Sequence, residues 1–231
     1  MRLLFLSAIF ALPTALHAGS FGYHVTANGL NFGTLTVETG GEGADYSVNV
    51  EAEATGFLGA ITRSHYVGNA TGRFDPSGTP VPQHFHAVSE RIFKHRDTEI
   101  TFTDGMPASV VLTPEKDRTE FTDPATVPDR RLDSLSFFRT LFVTRPGTCP
   151  ADSALYDGRR LLNVAFAPPE ARDGAIRCAG SYRIEKGPDH SLQKGIRAFT
   201  LVLVYPPEGG APQRLSVTSG SNVVEITQTA D

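Results

Sequence analysis

The sequence predicts a mainly β fold, in which a strongly curled antiparallel sheet of about ten to twelve strands carries one packed amphipathic helix. Apolar and polar residues alternate with a period of two over most of the chain, most cleanly at residues 45–54. Turn dipeptides such as Asn28-Gly29 and Asp104-Gly105 separate the strand-like segments. Residues 132–142 instead have helical spacing. An open barrel or a β-spiral is the expected architecture, because many short strands with one helix are typical of both.

The first twenty residues are typical of a secretory signal peptide. Met1-Arg2 supplies a positive start, residues 3–12 are almost continuously apolar, and small residues follow. That run is too short to span a bilayer, and no later stretch is apolar enough to do so. Cleavage is expected after Ala18 or Ser20, and no cysteine near either position offers a lipid anchor. We therefore expect a periplasmic protein, with a signal peptide at 1–20 and a single β-rich domain at 21–231.

Twelve segments have strand-like patterns: 22–27, 32–39, 45–54, 65–74, 83–93, 99–103, 108–113, 155–166, 177–186, 196–205, 213–218 and 222–229. The segment at 196–205 is apolar on both faces, which predicts a strand that is covered twice. The helix is one expected cover, and the opposite wall of a barrel or an apolar cavity is the other. An ordinary central strand without a cavity is the alternative.

The helix has a wide apolar stripe that must be buried against the sheet. Asp133 can cap its start, and Pro146 prevents its continuation. The stripe consists of Leu132, Leu135, Phe137, Phe138, Leu141 and Phe142. If the sheet and helix enclose a ligand cavity, its predicted lining is Phe138, Leu141, Phe142, Phe199, Leu201 and Leu203.

Cys149 and Cys178 are the two cysteines of the chain, and an even pair in an oxidising compartment predicts a disulfide. Closing a loop of roughly thirty residues stabilises a fold by about 3–4 kcal/mol in the loop-entropy treatment. A redox-active pair is the alternative, but such cysteines usually lie close together in the sequence. We therefore expect a structural disulfide.

Composition and motifs favour a binding protein without a cofactor. The 21 Lys and Arg residues against 25 Asp and Glu give no global positive field for nucleic acid. The sequence contains no G-x-S-x-G nucleophile motif and no glycine-rich nucleotide motif. We expect no cofactor and no enzymatic activity.

One alternative is a metal site at His84-Phe85-His86. On a strand, both imidazoles of this pattern project from the same face, as two ligands of a β-built zinc or iron site do. The candidate third ligands are His65, His95 and Glu90. The competing interpretation is two imidazoles on the polar face of a strand. A metal-dependent hydrolase using His84 and His86 is therefore the alternative function.

The string at residues 155–162 contains two adjacent cations, Arg159 and Arg160. A functional interpretation has both arginines holding an anionic ligand. The competing interpretation has Asp157-Gly158 shaping a strand entrance while an arginine pairs with Asp157 or Asp133.

Four strings spread over residues 22–229 carry a family resemblance: an aromatic opening strand with the step from Gly29 to Gly33, Asp133-Ser134-Leu135-Ser136, Tyr156-Asp157-Gly158-Arg159-Arg160, and Cys178-Ala179-Gly180-Ser181-Tyr182. Together they resemble a family of exported bacterial proteins known as domain of unknown function 3108. The resemblance implies a periplasmic β-protein with a long antiparallel sheet around a helix. It also implies envelope maintenance or hydrophobic-ligand binding, with no catalytic residues.

The expected function is therefore that of a non-enzymatic periplasmic envelope protein. It would bind a hydrophobic or lipid-like ligand, or an envelope partner, inside the curled sheet. A structural interaction module without a pocket is a second alternative. The sequence leaves the ligand and the oligomeric state open.

Overall fold

The structure is a computed structural model that describes residues 18–56, 59, 62–189 and 195–230. The predicted signal peptide lies outside the described residues except for its last three positions. Of these, Gly19 and Ser20 already belong to the first strand, where they pair with Thr39 and Glu38. Within the described residues, no helix is long and apolar enough to cross a membrane.

Fourteen strands form one antiparallel sheet in the described part of the chain. Their bounds are β1 Gly19–Ala27, β2 Leu30–Gly40, β3 Asp45–Ala54, β4 His65–Phe74, β5 Pro80–Arg91, β6 Lys94–Thr103, β7 Met106–Thr113, β8 Ser153–Tyr156, β9 Leu161–Phe166, β10 Glu170–Arg172, β11 Ala175–Lys186, β12 Ala198–Tyr205, β13 Arg214–Ser219 and β14 Asn222–Gln228. Their order is β7-β6-β5-β4-β3-β2-β1-β14-β13-β12-β11-β9-β8, and β10 pairs with β11. Most neighbours in the sheet are therefore also neighbours in sequence.

The predicted strand number is too low for two local reasons. The predicted strand at 155–166 is divided into β8 and β9 by a turn that contains Gly158 at φ +82°. Glu170–Arg172 forms a further short strand on β11. The string Asp157-Gly158-Arg159-Arg160 interrupts the apolar pattern, and it was the available signal for this break.

The prediction of a strongly curled, barrel-like sheet is wrong. The sheet is neither closed nor strongly curled, and its edge strands β7 and β8 do not pair among the described residues. The chain segment that connects β7 to β8, residues 114–152, passes between these two edge strands. The Arg131 amide donates to the Gly105 carbonyl beside β7, while Leu132 exchanges backbone hydrogen bonds with Ala154 and Tyr156 of β8. Because this connection already uses the backbone groups of β8, the edges cannot hydrogen-bond to each other.

The helix α1 is Ser134–Thr140, shorter than the predicted 132–142. Asp133 caps it as predicted, since its Oδ1 accepts hydrogen bonds from the amides of Leu135 at 2.9 Å and Ser136 at 2.8 Å. The helix packs on β3, β4 and β5 in one half of the strand order and on the edge strand β8 in the other half, so its apolar face is buried against both halves of the sheet. The side chains between helix and sheet form one continuous hydrophobic core.

Two charged groups lie inside this core. Asp133 is fully buried, and this burial raises the pKa of its carboxyl group to about 6, against the lowering effect of its hydrogen bonds. Arg139 is 1 % exposed, and its Nε and Nη2 atoms have no hydrogen-bond partner among the described residues. A buried cation without compensation is costly. The core therefore contains one group whose removal is expected to stabilise the fold.

Candidate functional site

The predicted disulfide is confirmed. Cys149 and Cys178 are joined with an S–S distance of 2.03 Å and a Cα–Cα distance of 5.6 Å. Cys178 is fully buried on β11, and Cys149 lies in the connection that follows the helix. The bond therefore fixes this connection to the sheet.

The six residues predicted to line a cavity belong to the core or pack against it. Leu141, Phe142, Leu201 and Leu203 are buried, and Phe138 and Phe199 are half-buried against the core. The ring centroid of Phe142 lies 5.4 Å from that of Phe138 and 5.0 Å from that of Phe21. At Phe142, therefore, aromatic neighbours occupy the space beside the ring. A ligand among the six residues stays a prediction.

The two histidines of the proposed metal site contact different carboxylates. His84 Nε2 lies 3.0 Å from Glu99 Oε1, and His86 Nε2 lies 2.9 Å from Asp97 Oδ1. Of the candidate third ligands, His95 and Glu90 pair with each other at 3.4 Å. His65, the remaining candidate, pairs with Glu51. Among the described residues, no three His, Cys, Asp or Glu side chains are grouped as metal ligands.

Arg159 and Arg160 point to different partners. Arg160 pairs with Asp157 at 2.6 Å, which is the local ion pair that the sequence offered as an alternative. Asp157 also accepts hydrogen bonds from the amides of both arginines and so fixes the turn. The Arg159 side chain instead donates from Nε to the backbone carbonyl of Asp117 at 2.6 Å. It makes no ion pair with any described carboxylate.

Arg159 lines a cleft of about 590 Å³ that contains an excess of positive charge. Four separate parts of the chain form it: the β5–β6 hairpin, the end of β7 with the 3-10 turn Glu115–Asp117 that follows, the turn after β8, and the segment after β11. Its cations are Arg91, Lys94, Arg96, Lys116 and Arg159, and we call it the cationic cleft. Two carboxylates, Asp117 and Asp189, also line it. The cations therefore outnumber the carboxylates five to two.

Both carboxylates of the cationic cleft already have partners. Asp117 Oδ2 accepts hydrogen bonds from Nε of Arg96 at 3.0 Å and from Nη2 at 2.5 Å, and the hydrogen bond from Arg96 lowers the pKa of Asp117. Asp189 pairs with Arg197 at 2.9 Å. Arg91, Lys94, Lys116 and Arg159 have no ion pair within the described part of the chain. The surplus charge in the cleft is therefore not neutralised by the fold itself.

The guanidinium groups of the cationic cleft also repel one another. Burial lowers the pKa of Arg91, and the positive charge of Arg96 lowers it further. Burial and Arg96 have the same effect on the pKa of Arg159, where Asp117 acts in the opposite direction. An anion placed among these side chains would relieve the repulsion and supply the missing acceptors.

An apolar turn borders the cationic cleft, and its Phe93 also lines the cleft. Ile92 and Phe93, which we call the hairpin tip, connect β5 to β6. Arg91 and Lys94 are opposite each other in the strand register and flank the hairpin tip. Both side chains of the hairpin tip are exposed to solvent: Phe93 to 97 % and Ile92 to 46 %. Phe93 has φ +62°, a left-handed conformation that bulky residues rarely adopt. The hairpin tip thus combines exposed apolar surface with an unfavourable backbone conformation.

A second cleft of about 700 Å³ at the other end of the strands gives a contrast. Its arginines include Arg177, which pairs with Glu170 at 3.7 Å, and Arg172, which pairs with Asp173 at 3.4 Å. Two of its three arginines are therefore paired with a carboxylate, against one of the five cations in the cationic cleft. The exposed Arg214 of this cleft is therefore a suitable control position.

Sequence reasoning missed the hairpin tip and most of the cationic cleft. The pattern placed Phe93 at the end of a strand, because the turn contains no glycine, asparagine or proline. The available signal was the string Arg91-Ile92-Phe93-Lys94, where two adjacent apolar residues interrupt the alternation between two cations.

A protein-family model described as "Protein of unknown function (DUF3108)" matches residues 22–183. No curated protein and no solved structure matches the chain.

Proposed function

The chain belongs to the DUF3108 family of proteins of unknown function, and we propose that it is a non-enzymatic periplasmic protein of the bacterial envelope. In this proposal it binds the anionic head of a lipid-like molecule in the cationic cleft. The observation that carries the proposal is the convergence of Arg91, Lys94, Lys116 and Arg159, without ion-pair partners among the described residues, on one cleft. This moves the expected ligand from the interior of the sheet to the end of the strands.

The chemistry of the cationic cleft favours phosphate or carboxylate groups. Arginine offers planar, bidentate hydrogen bonding to either group, and lysine adds a compact charge. The chain as a whole has 25 acidic against 21 basic side chains, so the positive charge is a local property of the cleft. Such local charge attracts an anionic headgroup without general affinity for polyanions.

The periplasmic part of the proposal is supported by the disulfide and by the N-terminal sequence. Disulfides persist in oxidising compartments such as the periplasm. Cleavage after Ala18 would leave Gly19 and Ser20 in β1, whereas cleavage after Ser20 would remove two residues that pair with β2. We expect the mature chain from the periplasm to begin at Gly19, as measured by intact mass. Protein that retains residues 1–18, or that stays in the cytoplasm, would contradict this part.

Anion binding is tested by calorimetric titration with a short-chain phosphatidylglycerol below its micelle concentration. The wild-type protein should bind it, and binding should weaken as salt is added. Arg91→Gln and Arg159→Gln should each weaken binding about tenfold, the value for one charge-assisted hydrogen bond. Arg214→Gln removes one positive charge at the other cleft and should leave the affinity unchanged. Absence of binding to wild-type protein, or equal losses in all three variants, would refute the proposal.

A further inference from the structure

The hairpin tip is unfavourable for the isolated protein in two independent ways. A phenylalanine at 97 % exposure leaves nearly its whole ring in water. Its φ of +62° suits glycine or asparagine, which two-residue hairpin turns normally use. Neither local preference nor packing therefore explains Phe93. Strained residues of this kind occur preferentially at functional sites.

The cations next to the hairpin tip define the surface that it fits. Arg91 and Lys94 flank it directly in the hairpin, and Lys116 and Arg159 line the cleft behind it. An apolar element surrounded by lysine and arginine is typical of proteins that bind at the interface of anionic membranes. A purely apolar partner would leave these charges desolvated, and a purely polar anion would leave Phe93 in water.

The strand register places another exposed apolar residue at the same end of the sheet. Gly33 pairs with Ala54, Glu53 with His65, and His65 with Glu90, so the β1–β2 turn and the β5–β6 turn lie at the same end. Leu30, the first residue of β2 after the first of these turns, is also exposed. A flat surface that approaches this end of the strands would meet the hairpin tip and the cationic cleft. Leu30 lies at the same end.

We infer that this end of the sheet docks on an anionic lipid bilayer, with Ile92 and Phe93 inserted among the headgroups and the cationic cleft on the lipid phosphates. The inference rests on the proposed function, because the cleft that binds one anionic head also binds the membrane. Docking adds a partner, the bilayer itself, and a separate element, the hairpin tip. The protein would then work at the membrane surface without a membrane-spanning segment.

The test is co-sedimentation with large vesicles of phosphatidylcholine, with and without phosphatidylglycerol. We expect binding only to vesicles that contain phosphatidylglycerol, with loss of binding as salt is added. Phe93→Gly should weaken partition about 30-fold, the factor for burying one phenylalanine side chain. Lys94→Gln should weaken it about fivefold, the factor for one cation near an anionic surface.

Two controls separate docking from folding and from anion binding. Glycine is favourable at a positive φ, so Phe93→Gly should melt at the same temperature as wild type or higher. Phe93 lines the cationic cleft but its side chain carries no hydrogen-bond donor, so Phe93→Gly should bind inorganic phosphate, which has no apolar part, as wild type does. Val143, 42 % exposed in the connection after the helix, is the matched apolar control, and Val143→Ser should bind vesicles normally.

The outcomes distinguish the two proposals. If the wild-type protein binds neither the short-chain lipid nor vesicles, both the proposed function and docking are overturned. If the short-chain lipid binds but vesicles do not, docking alone is overturned. Docking through the hairpin tip is also overturned if Phe93→Gly partitions as strongly as wild type, or if neutral vesicles bind equally well.

Discussion

Loss of the Cys149–Cys178 disulfide is expected to lower stability substantially. The bond joins residues 29 positions apart and so closes a loop in the unfolded chain. In the loop-entropy treatment this removes about 12 cal/mol/K of entropy, which corresponds to ~3.6 kcal/mol at 25 °C. For a chain of this length the unfolding entropy is about 0.45 kcal/mol/K, so the melting temperature should fall by about 8 °C.

Cys149→Ser is the cleanest perturbation. Cys149 is only half-buried, whereas Cys178 is fully buried on β11. Serine at Cys178 would place a hydroxyl group in the core and add its own desolvation cost. With Cys149→Ser, the remaining Cys178 thiol behaves as a small apolar side chain. The measured loss therefore reflects the missing cross-link.

The assay is scanning calorimetry of oxidised wild type, reduced wild type and Cys149→Ser, with urea unfolding as a second measurement. Reduced wild type and the variant should melt together, and both should melt below the oxidised protein. The reasoning is refuted if Cys149→Ser melts with oxidised wild type. It is also refuted if reduction lowers the melting temperature of Cys149→Ser as well, because that variant has no disulfide to lose.

Three further predictions concern single residues. Because the folded-state pKa of Asp133 is about 6 against the ordinary value of 3.8, the folded protein holds a proton that the unfolded chain releases. The stability of wild type relative to Asp133→Asn should therefore fall by roughly 3 kcal/mol as the pH rises from below 3.8 to above 6, because the other carboxyl groups contribute equally in both proteins; parallel urea-unfolding curves would contradict this. Arg139→Met should raise the free energy of unfolding by about 1–2 kcal/mol, since it removes a buried cation without a partner; a loss in the urea midpoint would contradict this. Gly158→Ala should lower thermal stability by about 2 kcal/mol, because alanine is strained at φ +82° and its Cβ would lie 3.0 Å from Thr98 Cγ2; an unchanged melting temperature would contradict this.

The regular parts of the sheet could be predicted because burial alternates along their strands. The bounds of Asp45–Ala54 follow from alternation alone, since one face of β3 is buried and the other is wet. Alternation does not report which strands pair or how far the sheet bends. Nor could it reveal that the backbone of Leu132 pairs with β8 and prevents the edges from meeting.

The candidate site could be predicted only in part. The sequence offers two interpretations for Arg159 and Arg160, a shared anionic ligand or a local ion pair with Asp157, and the two side chains in fact have different partners. The other cations of the cleft come from segments far from Arg159 in the sequence, and only the fold brings them together. The sequence predicts a strand that extends to Phe93, because phenylalanine is common in strands and its positive φ cannot be recognised from the sequence.

The most direct test of membrane docking uses the absence of tryptophan from the chain. Phe93→Trp places a single fluorescent reporter at the hairpin tip, and Val143→Trp places one at an exposed control position. On adding phosphatidylglycerol vesicles, the emission of Phe93→Trp should shift to shorter wavelength, because the indole leaves water, and that of Val143→Trp should not change. An unchanged spectrum for Phe93→Trp, or equal shifts for both variants, would contradict docking through the hairpin tip.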